Sequence, residues 1–199
     1  MLTFTATATA GSTCRAPAGA TAVHRSANAV VYRRQRTATT AGYSACRRAG
    51  GRRTVLPGAS GSRTLSAFRS AGRYLAFIVD EVNAHDMTAA VGVRVFDLRA
   101  GRARRGIALA TSPAQPDSLR FRSLVLTAKG TAAWRETGSG QRASTPIDRI
   151  AARDVSGRRR ILRTAPFKTI SRLELVGGAT ARWRVGDQLQ RRRIDTLGR

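Results

Sequence analysis

Short apolar stretches recur along this chain, each ending in an aromatic residue: Ala29-Val30-Val31-Tyr32, Tyr74-Leu75-Ala76-Phe77, Thr131-Ala132-Ala133-Trp134 and Thr180-Ala181-Arg182-Trp183. The steps from Tyr32 to Phe77, to Trp134 and to Trp183 are 45, 57 and 49 residues. No window of helical length carries an apolar stripe of period 3.6 with capping residues. Strand-sized stretches separated by Gly, Ser, Thr or Asp turns are plentiful instead, which predicts an all-β chain.

Each aromatic stretch is the second strand of a small meander. The second unit is the clearest. Thr64 to Arg69 is predicted as its first strand, Tyr74 to Val79 as its second, and Asp80 to Ala90 as a polar loop. Val91 to Leu98 is the third strand, with Val91, Val93 and Val95 alternating with Gly92 and Arg94, and Arg102 to Leu109 is the fourth. The third unit repeats the order over Leu124–Leu126, Thr131–Glu136, Ile147–Val155 and Arg158–Leu162, and the first over Thr21–Val23, Ala29–Arg33, Tyr43–Arg47 and Arg52–Leu56. The fourth has Ile170–Val176, Thr180–Val185 and Gln188–Ile194, and no fourth strand. Three units turn into their last strand through a Gly-Arg step, at Gly50-Gly51-Arg52, Gly101-Arg102 and Gly157-Arg158; glycine suits such turns because it takes positive φ without steric cost. Asp97 and Asp154 precede two of these turns, and Cys46 is read as holding their place in the first unit. The aromatics, one per unit at one position, are expected in the core between units.

Repeats of about 40–50 residues with four strands each have the dimensions of β-propeller blades. The expected fold is therefore a small β-propeller, or an incomplete propeller-like array, of about four antiparallel blades of three to four strands. Residues 20–199 form this repeat domain and 1–19 an N-terminal segment. Leu2-Thr3-Phe4-Thr5-Ala6-Thr7 alternates apolar and Thr as a half-buried strand does, so it is expected to supply the strand missing from the fourth unit. The competing expectation takes Ala8-Thr9-Ala10 as the small-residue end of a secretory signal whose basic and apolar parts lie upstream of Met1.

Charge adds a second theme. The chain has 36 Lys and Arg against 11 Asp and Glu, a net charge of +25, and only Lys129 and Lys168 are lysine. Residues 1–79 contain 12 arginines and no carboxylate. Such an excess favours polyanionic surroundings, either nucleic acid or an acidic envelope polymer, although a solvated basic surface accounts for it equally. The candidate polyanion-binding residues are the triplets Arg158-Arg159-Arg160 and Arg191-Arg192-Arg193. Both lie on or beside predicted strands, so neighbouring guanidiniums are expected on opposite faces.

Other chemistry is sparse. Cys14 and Cys46 are expected to form one disulfide if the protein is exported, and to remain free thiols if it is not. No Cys-x-x-Cys or zinc-ligand His spacing occurs, and no cofactor motif is present, so no metal and no cofactor are expected. His85-Asp86 is an adjacent pair in a polar loop, without a nucleophile elbow beside it. Asp80, Glu81 and Asp86 lack the spacing of a calcium loop. Gly138-Ser139-Gly140 lacks the Gly-Lys-Ser/Thr ending of a phosphate cradle. No apolar run reaches the length of a membrane helix.

The Gly-x-x-Ala-aromatic strand (Gly130 to Trp134) and the Val-x-Val-x-Asp-Leu-x-x-Gly-Arg stretch (Val93 to Arg102) resemble the repeats of TolB-type and WD-repeat-like bacterial β-propellers. The Val-Val-Tyr-Arg and Tyr-Ser-Ala-Cys-Arg-Arg-Ala-Gly-Gly-Arg segments also resemble exported propeller-like proteins of GC-rich actinobacteria. The resemblance covers roughly residues 20–196. It implies a non-enzymatic, exported interaction scaffold in the cell envelope or outside the cell, and carries over no catalytic residue. The alternative is a basic polyanion-binding protein, whose partner is an acidic polymer; an enzyme is the least favoured expectation. A start at Met1 as written would leave the protein in the cytoplasm.

Overall fold

A computed structural model of the chain describes residues 14–38, 40–56, 62–83, 88–103, 108–112, 119–138, 147–154 and 156–197. All regular structure among them is β, in four antiparallel sheets that follow one another along the chain. The first holds β1 (Ala20–Arg25), β2 (Ala29–Gln35), β3 (Ala41–Arg47) and β4 (Arg53–Val55) in that spatial order. The second holds β5 (Ser62–Ala71), β6 (Tyr74–Asn83), β7 (Thr88–Asp97) and β8 (Arg102–Ala103), with β9 (Ala108–Ser112) pairing further along β7. The third is β10 (Leu119–Leu126), β11 (Ala132–Gly138), β12 (Ile147–Arg153) and β13 (Arg159–Pro166). The fourth is β14 (Glu174–Val176), β15 (Thr180–Val185) and β16 (Gln188–Arg193).

Each sheet is a meander because its strands are joined by turns too short for any other path. At the Gly-Arg steps Gly101 and Gly157 have φ of 68° and 93°, the left-handed region that glycine enters without a Cβ clash. The aspartates before them close the turns. Asp97 Oδ1 accepts from the N–H groups of Arg99 and Ala100 at 2.9 and 3.2 Å, and Asp154 Oδ1 from those of Ser156 and Arg158 at 2.9 and 3.0 Å. This use of an Asp side chain to satisfy turn amides explains why the residue recurs.

The sheets stack through three apolar clusters. Val31, Tyr43, Ala45 and Leu56 of the first sheet meet Leu65, Phe68, Leu75, Phe77 and Val79 of the second. Tyr74, Ala76, Ile78, Val93 and Val95, on the other face of the second, meet Leu124, Leu126, Ala132 and Trp134 of the third. Val125, Ala133, Ile150 and Ala152 of the third meet Leu173, Ala181, Trp183 and Ile194 of the fourth. The recurring aromatic therefore points toward the preceding sheet every time. Phe77, Trp134 and Trp183 are 0, 1 and 4% exposed, and burying a side chain of this size contributes about 1.5–3 kcal/mol or more. Tyr32 obeys the same rule with no earlier sheet among the described residues. Its ring packs with Val30 and Cys46 under Cys14 and Ala20, and its hydroxyl donates to the Cys14 carbonyl at 2.5 Å. Cys14 and Cys46 are joined by a disulfide with Cα atoms 5.7 Å apart, which fastens residues 14–19 over this face. No apolar cluster among the described residues joins the fourth sheet to the first.

Four local expectations are corrected. Residues 80–83 and 88–90 continue β6 and β7, because the hairpin pairs as far as Asn83 with Thr88; the polar loop is shorter than the composition implied. The fourth strand of the second unit is split into β8 and β9. In the fourth unit Ile170 makes only an isolated bridge to Val185, and the first strand begins at Glu174. Cys46 does not hold the place of Asp97: in register Ala29 pairs with Arg47 as Tyr74 pairs with Asp97, so Arg47 is the counterpart and Cys46 corresponds to Phe96. The strand expected over Leu2 to Thr7, the signal remnant at Ala8 to Ala10, and His85-Asp86 lie outside the described residues.

Candidate anion-binding rim

In every sheet the last strand forms the edge opposite the first. The first strands crowd together, β10 packing on β5 and on β14. The last strands therefore run along the opposite side of the stack. On this side the β3–β4 and β7–β8 turns touch, Arg52 Nη1 donating to the Arg99 carbonyl at 3.2 Å.

The sequence of these edge strands is lopsided. β4 reads Arg-Thr-Val, β8 Arg-Ala, β9 Ala-Leu-Ala-Thr-Ser, β13 Arg-Arg-Ile-Leu-Arg-Thr-Ala-Pro and β16 Gln-Leu-Gln-Arg-Arg-Arg. None contains a carboxylate. Arg53, Arg102, Arg159, Arg160, Arg163 and the Arg191–Arg193 triplet are all exposed. Edge strands with bare N–H and C=O groups invite pairing with another chain, and charged side chains on them prevent it. Arginine rows on the rim thus have a structural role beside any ligand role.

The two triplets do not act as uniform patches. Arg158 lies in the turn before β13. Arg159 pairs with the buried Glu136 carboxylate, and Arg160 Nε reaches Asp154 Oδ2 at 4.0 Å. Arg193 Nε donates to Asp195 Oδ1 at 2.8 Å, and Lys129 Nζ to Oδ2 at 3.0 Å. Arg158, Arg191 and Arg192 make no ion pair among the described residues. Along β16, Arg191 and Arg193 alternate with Arg192, as strand geometry requires.

These pairings displace titrations. Burial pushes the Asp154 carboxyl up, but hydrogen bonds from Ser156, Arg158 and Gly157 outweigh it and hold the group below the usual range. Arg193 and Lys129 draw Asp195 down to about 2. The two long side chains themselves cover this carboxylate, so it is shielded while lying at the surface rather than in the core. Asp80, on β6, is raised by burial.

Two polar clusters escape sequence inspection because they assemble across sheets. Asp148 is fully buried; its Oδ2 accepts from Arg135 at 2.8 Å and from the Ile170 amide at 3.2 Å, tying the third sheet to the start of the fourth. Glu136, also buried, accepts from Trp134 Nε1 at 3.1 Å. The second cluster joins His24, Ser26 and Ser70 at the first-to-second sheet junction, with His24 Nε2 3.3 Å from Ser70 Oγ. Burial, with Arg69 nearby, keeps this imidazole below its ordinary pKa. Ser26 Oγ accepts from the Asn28 and Ala29 amides at 3.2 and 3.0 Å, marking it as a turn organiser shared with Ser70.

Among the described residues no three His, Cys, Asp or Glu side chains converge as a metal site, and no helix is long and apolar enough to cross a membrane. No protein-family model matches the chain, and no curated protein matches it in sequence.

Proposed function

We propose that this chain is a non-enzymatic binding protein of an oxidising compartment, built as an open, propeller-like array whose arginine rim holds an acidic polymer. The observation that carries this is the edge-strand chemistry: exposed arginines recur on the outer strands of successive sheets, and no carboxylate occurs on any of them. An extended polyanion matches an extended row of guanidiniums, which bind phosphate, sulfate or carboxylate oxygens in pairs. The Cys14–Cys46 disulfide favours an exported location and hence an envelope polymer over nucleic acid. A companion reading, a scaffold for protein partners, is supported by the outer face of the fourth sheet, where Val176 and Leu189 are 41 and 43% exposed among arginines.

Retention on immobilised heparin across a salt series tests the rim. Wild type is expected to show a steep dependence of affinity on salt, and Arg159→Gln, Arg160→Gln, Arg163→Gln, Arg191→Gln and Arg192→Gln together to flatten it by several counterions. Elution at low salt, or an unchanged slope in the combined variant, refutes the rim as the binding surface.

A further inference from the structure

The face of the first sheet that carries Tyr32 is the one against which every later sheet receives its predecessor. Here residues 14–19 cover only the part over Tyr32 and Cys46. The remainder is a cleft of about 480 Å³, walled on one side by Pro17 of the disulfide-held segment and on the others by Arg34, Arg36, Gly42, Ser44 and Arg53. Three guanidiniums line it, and none of them makes an ion pair among the described residues.

Local structure holds these side chains in place. Gly42 is opposite Arg34 in the β2–β3 ladder. The Arg36 guanidinium lies across that glycine, with Nε 3.0 Å and Nη2 3.3 Å from the point a Cβ would occupy. A Cβ at 42 would make the Arg36 guanidinium give by a few tenths of an ångström. The hairpin presenting Arg36 is tied down by its N–H donating to the Thr40 carbonyl at 2.9 Å and by the Thr37 and Thr40 hydroxyls 2.8 Å apart. Arg53 is fastened between the Tyr32 ring, 5.8 Å from its Cζ to the centroid, and the carbonyl of Arg15, to which it donates.

We propose that this cleft is a discrete seat for a phosphate dianion, sharing only Arg53 of β4 with the polymer-binding rim. A phosphate monoester carries close to two negative charges near neutral pH, against one for a carboxylate, and its oxygens suit the arginine fork. Three uncompensated guanidiniums therefore select the dianion. The volume lies within the range of small-molecule sites and leaves room for an organic body beside the phosphate.

Calorimetric titration of the full-length, oxidised protein at about 0.15 M salt, where diffuse surface attraction is screened, tests the seat. The probes are inorganic phosphate, ribose 5-phosphate and acetate. One-to-one saturation by a phosphate probe is expected, with acetate at least tenfold weaker. Tighter binding of ribose 5-phosphate assigns the seat to a phosphorylated small molecule, and equal binding assigns it to free phosphate. Arg34→Gln and Arg36→Gln are each expected to weaken binding roughly ten- to a hundredfold, the loss of a charge-assisted hydrogen bond. Gly42→Ala, in extended strand, keeps the fold and, shifting Arg36 only slightly, weakens binding less than Arg36→Gln does, whereas Arg159→Gln with Arg160→Gln on the rim leaves it unchanged. Absence of saturation, acetate binding as tightly as phosphate, wild-type affinity in Gly42→Ala and Arg36→Gln, or loss of binding in the rim variant overturns the proposal. Because heparin retention reads the rim and phosphate titration reads the cleft, either can fail without the other.

Discussion

Replacing Cys14 and Cys46 by Ser is expected to loosen the first sheet selectively. The cross-link spans a sequence separation of 32, for which loop-closure entropy gives about 3.7 kcal/mol of stabilisation. Its loss also frees residues 14–19 from Val30 and Tyr32, which are 1 and 2% exposed beneath them. In a stack whose apolar clusters, among the described residues, join neighbouring sheets, stability is roughly a sum of unit and interface terms, so the cost falls on the first sheet. Spectroscopy can separate the two levels. The chain has two tryptophans, and Trp134 and Trp183 sit in the second-to-third and third-to-fourth interfaces. Hydrogen exchange in β1 to β4 is expected to accelerate by roughly two to three powers of ten, the factor that 3.7 kcal/mol represents, while tryptophan fluorescence in low urea stays native. Trypsin should cut first after the arginines of β2 and β3. Protection of the first sheet within about 1 kcal/mol of wild type would show that the disulfide does not hold it. Simultaneous loss of the tryptophan signal would show that the stack unfolds as one unit and refute the neighbour-only picture.

Asp148→Ala leaves Arg135 without its buried partner and the Ile170 amide without an acceptor; a loss of about 3–5 kcal/mol in urea unfolding is expected, with the third-to-fourth interface reporting first. Gly130→Ala must hold φ near 86° with a Cβ 3.0 Å from the Tyr74 ring, so thermal unfolding should show a loss of more than about 1 kcal/mol. Asp154 and Asp195 have folded-state pKa values below their ordinary 3.8, so the stability they contribute is fully present above that value and is lost as pH falls through the folded values, about 2 for Asp195. Acid unfolding should therefore steepen between about pH 4 and 2, and Asp195→Asn should flatten that decline; Asp80, raised by burial, works in the opposite direction. Arg182→Val with Arg191→Val should make the protein self-associate in size-exclusion chromatography, and a monomer at high concentration would count against the explanation of the stack's end given below.

Much of the strand plan was legible because its signals are local. Val91, Val93 and Val95 alternate, Gly101 and Gly157 punctuate, and Tyr32, Phe77, Trp134 and Trp183 keep one position. The direction in which those aromatics point was not legible, since alternation gives two faces and does not say which meets the earlier sheet. Bulges were equally hidden. The first strands of three sheets each slip register near the aromatic, between Ala22 and His24, Ser66 and Arg69, and Phe121 and Ser123, with Ala67 at φ 50° inside one of them. No residue type there announces a bulge. On the candidate site, the arginine triplets stood out as runs, but Glu136 on β11, Asp154 in the turn before β13 and Asp195 just after β16 partner three of their six members. The cleft depends on Gly42, which composition marks only as one glycine among 19.

The ends of the stack follow from the same repeat positions. The residue before each aromatic and its β-ladder partner face the next sheet: Val31 with Ala45, Ala76 with Val95, Ala133 with Ala152, all buried. In the fourth sheet the same pair is Arg182 with Arg191. The next pair is Arg184 with Leu189, where the second sheet has Ile78 with Val93. Covering such a face would strip water from guanidiniums of which, among the described residues, only Arg182 has an ion-pair partner, Glu174, and an unpaired buried charge costs several kcal/mol. The opposite end of the stack, the Tyr32 face, is lined by Arg34, Arg36 and Arg53. Closing the array would bring these two cationic faces together with Glu174 as the one carboxylate paired to them among the described residues, so like-charge repulsion adds to desolvation. Aromatic positions drive each sheet onto its predecessor, and arginine positions stop the series. The excess charge thus keeps the stack open, and under the proposed function the same guanidiniums are what the ends and the rim would offer an anion.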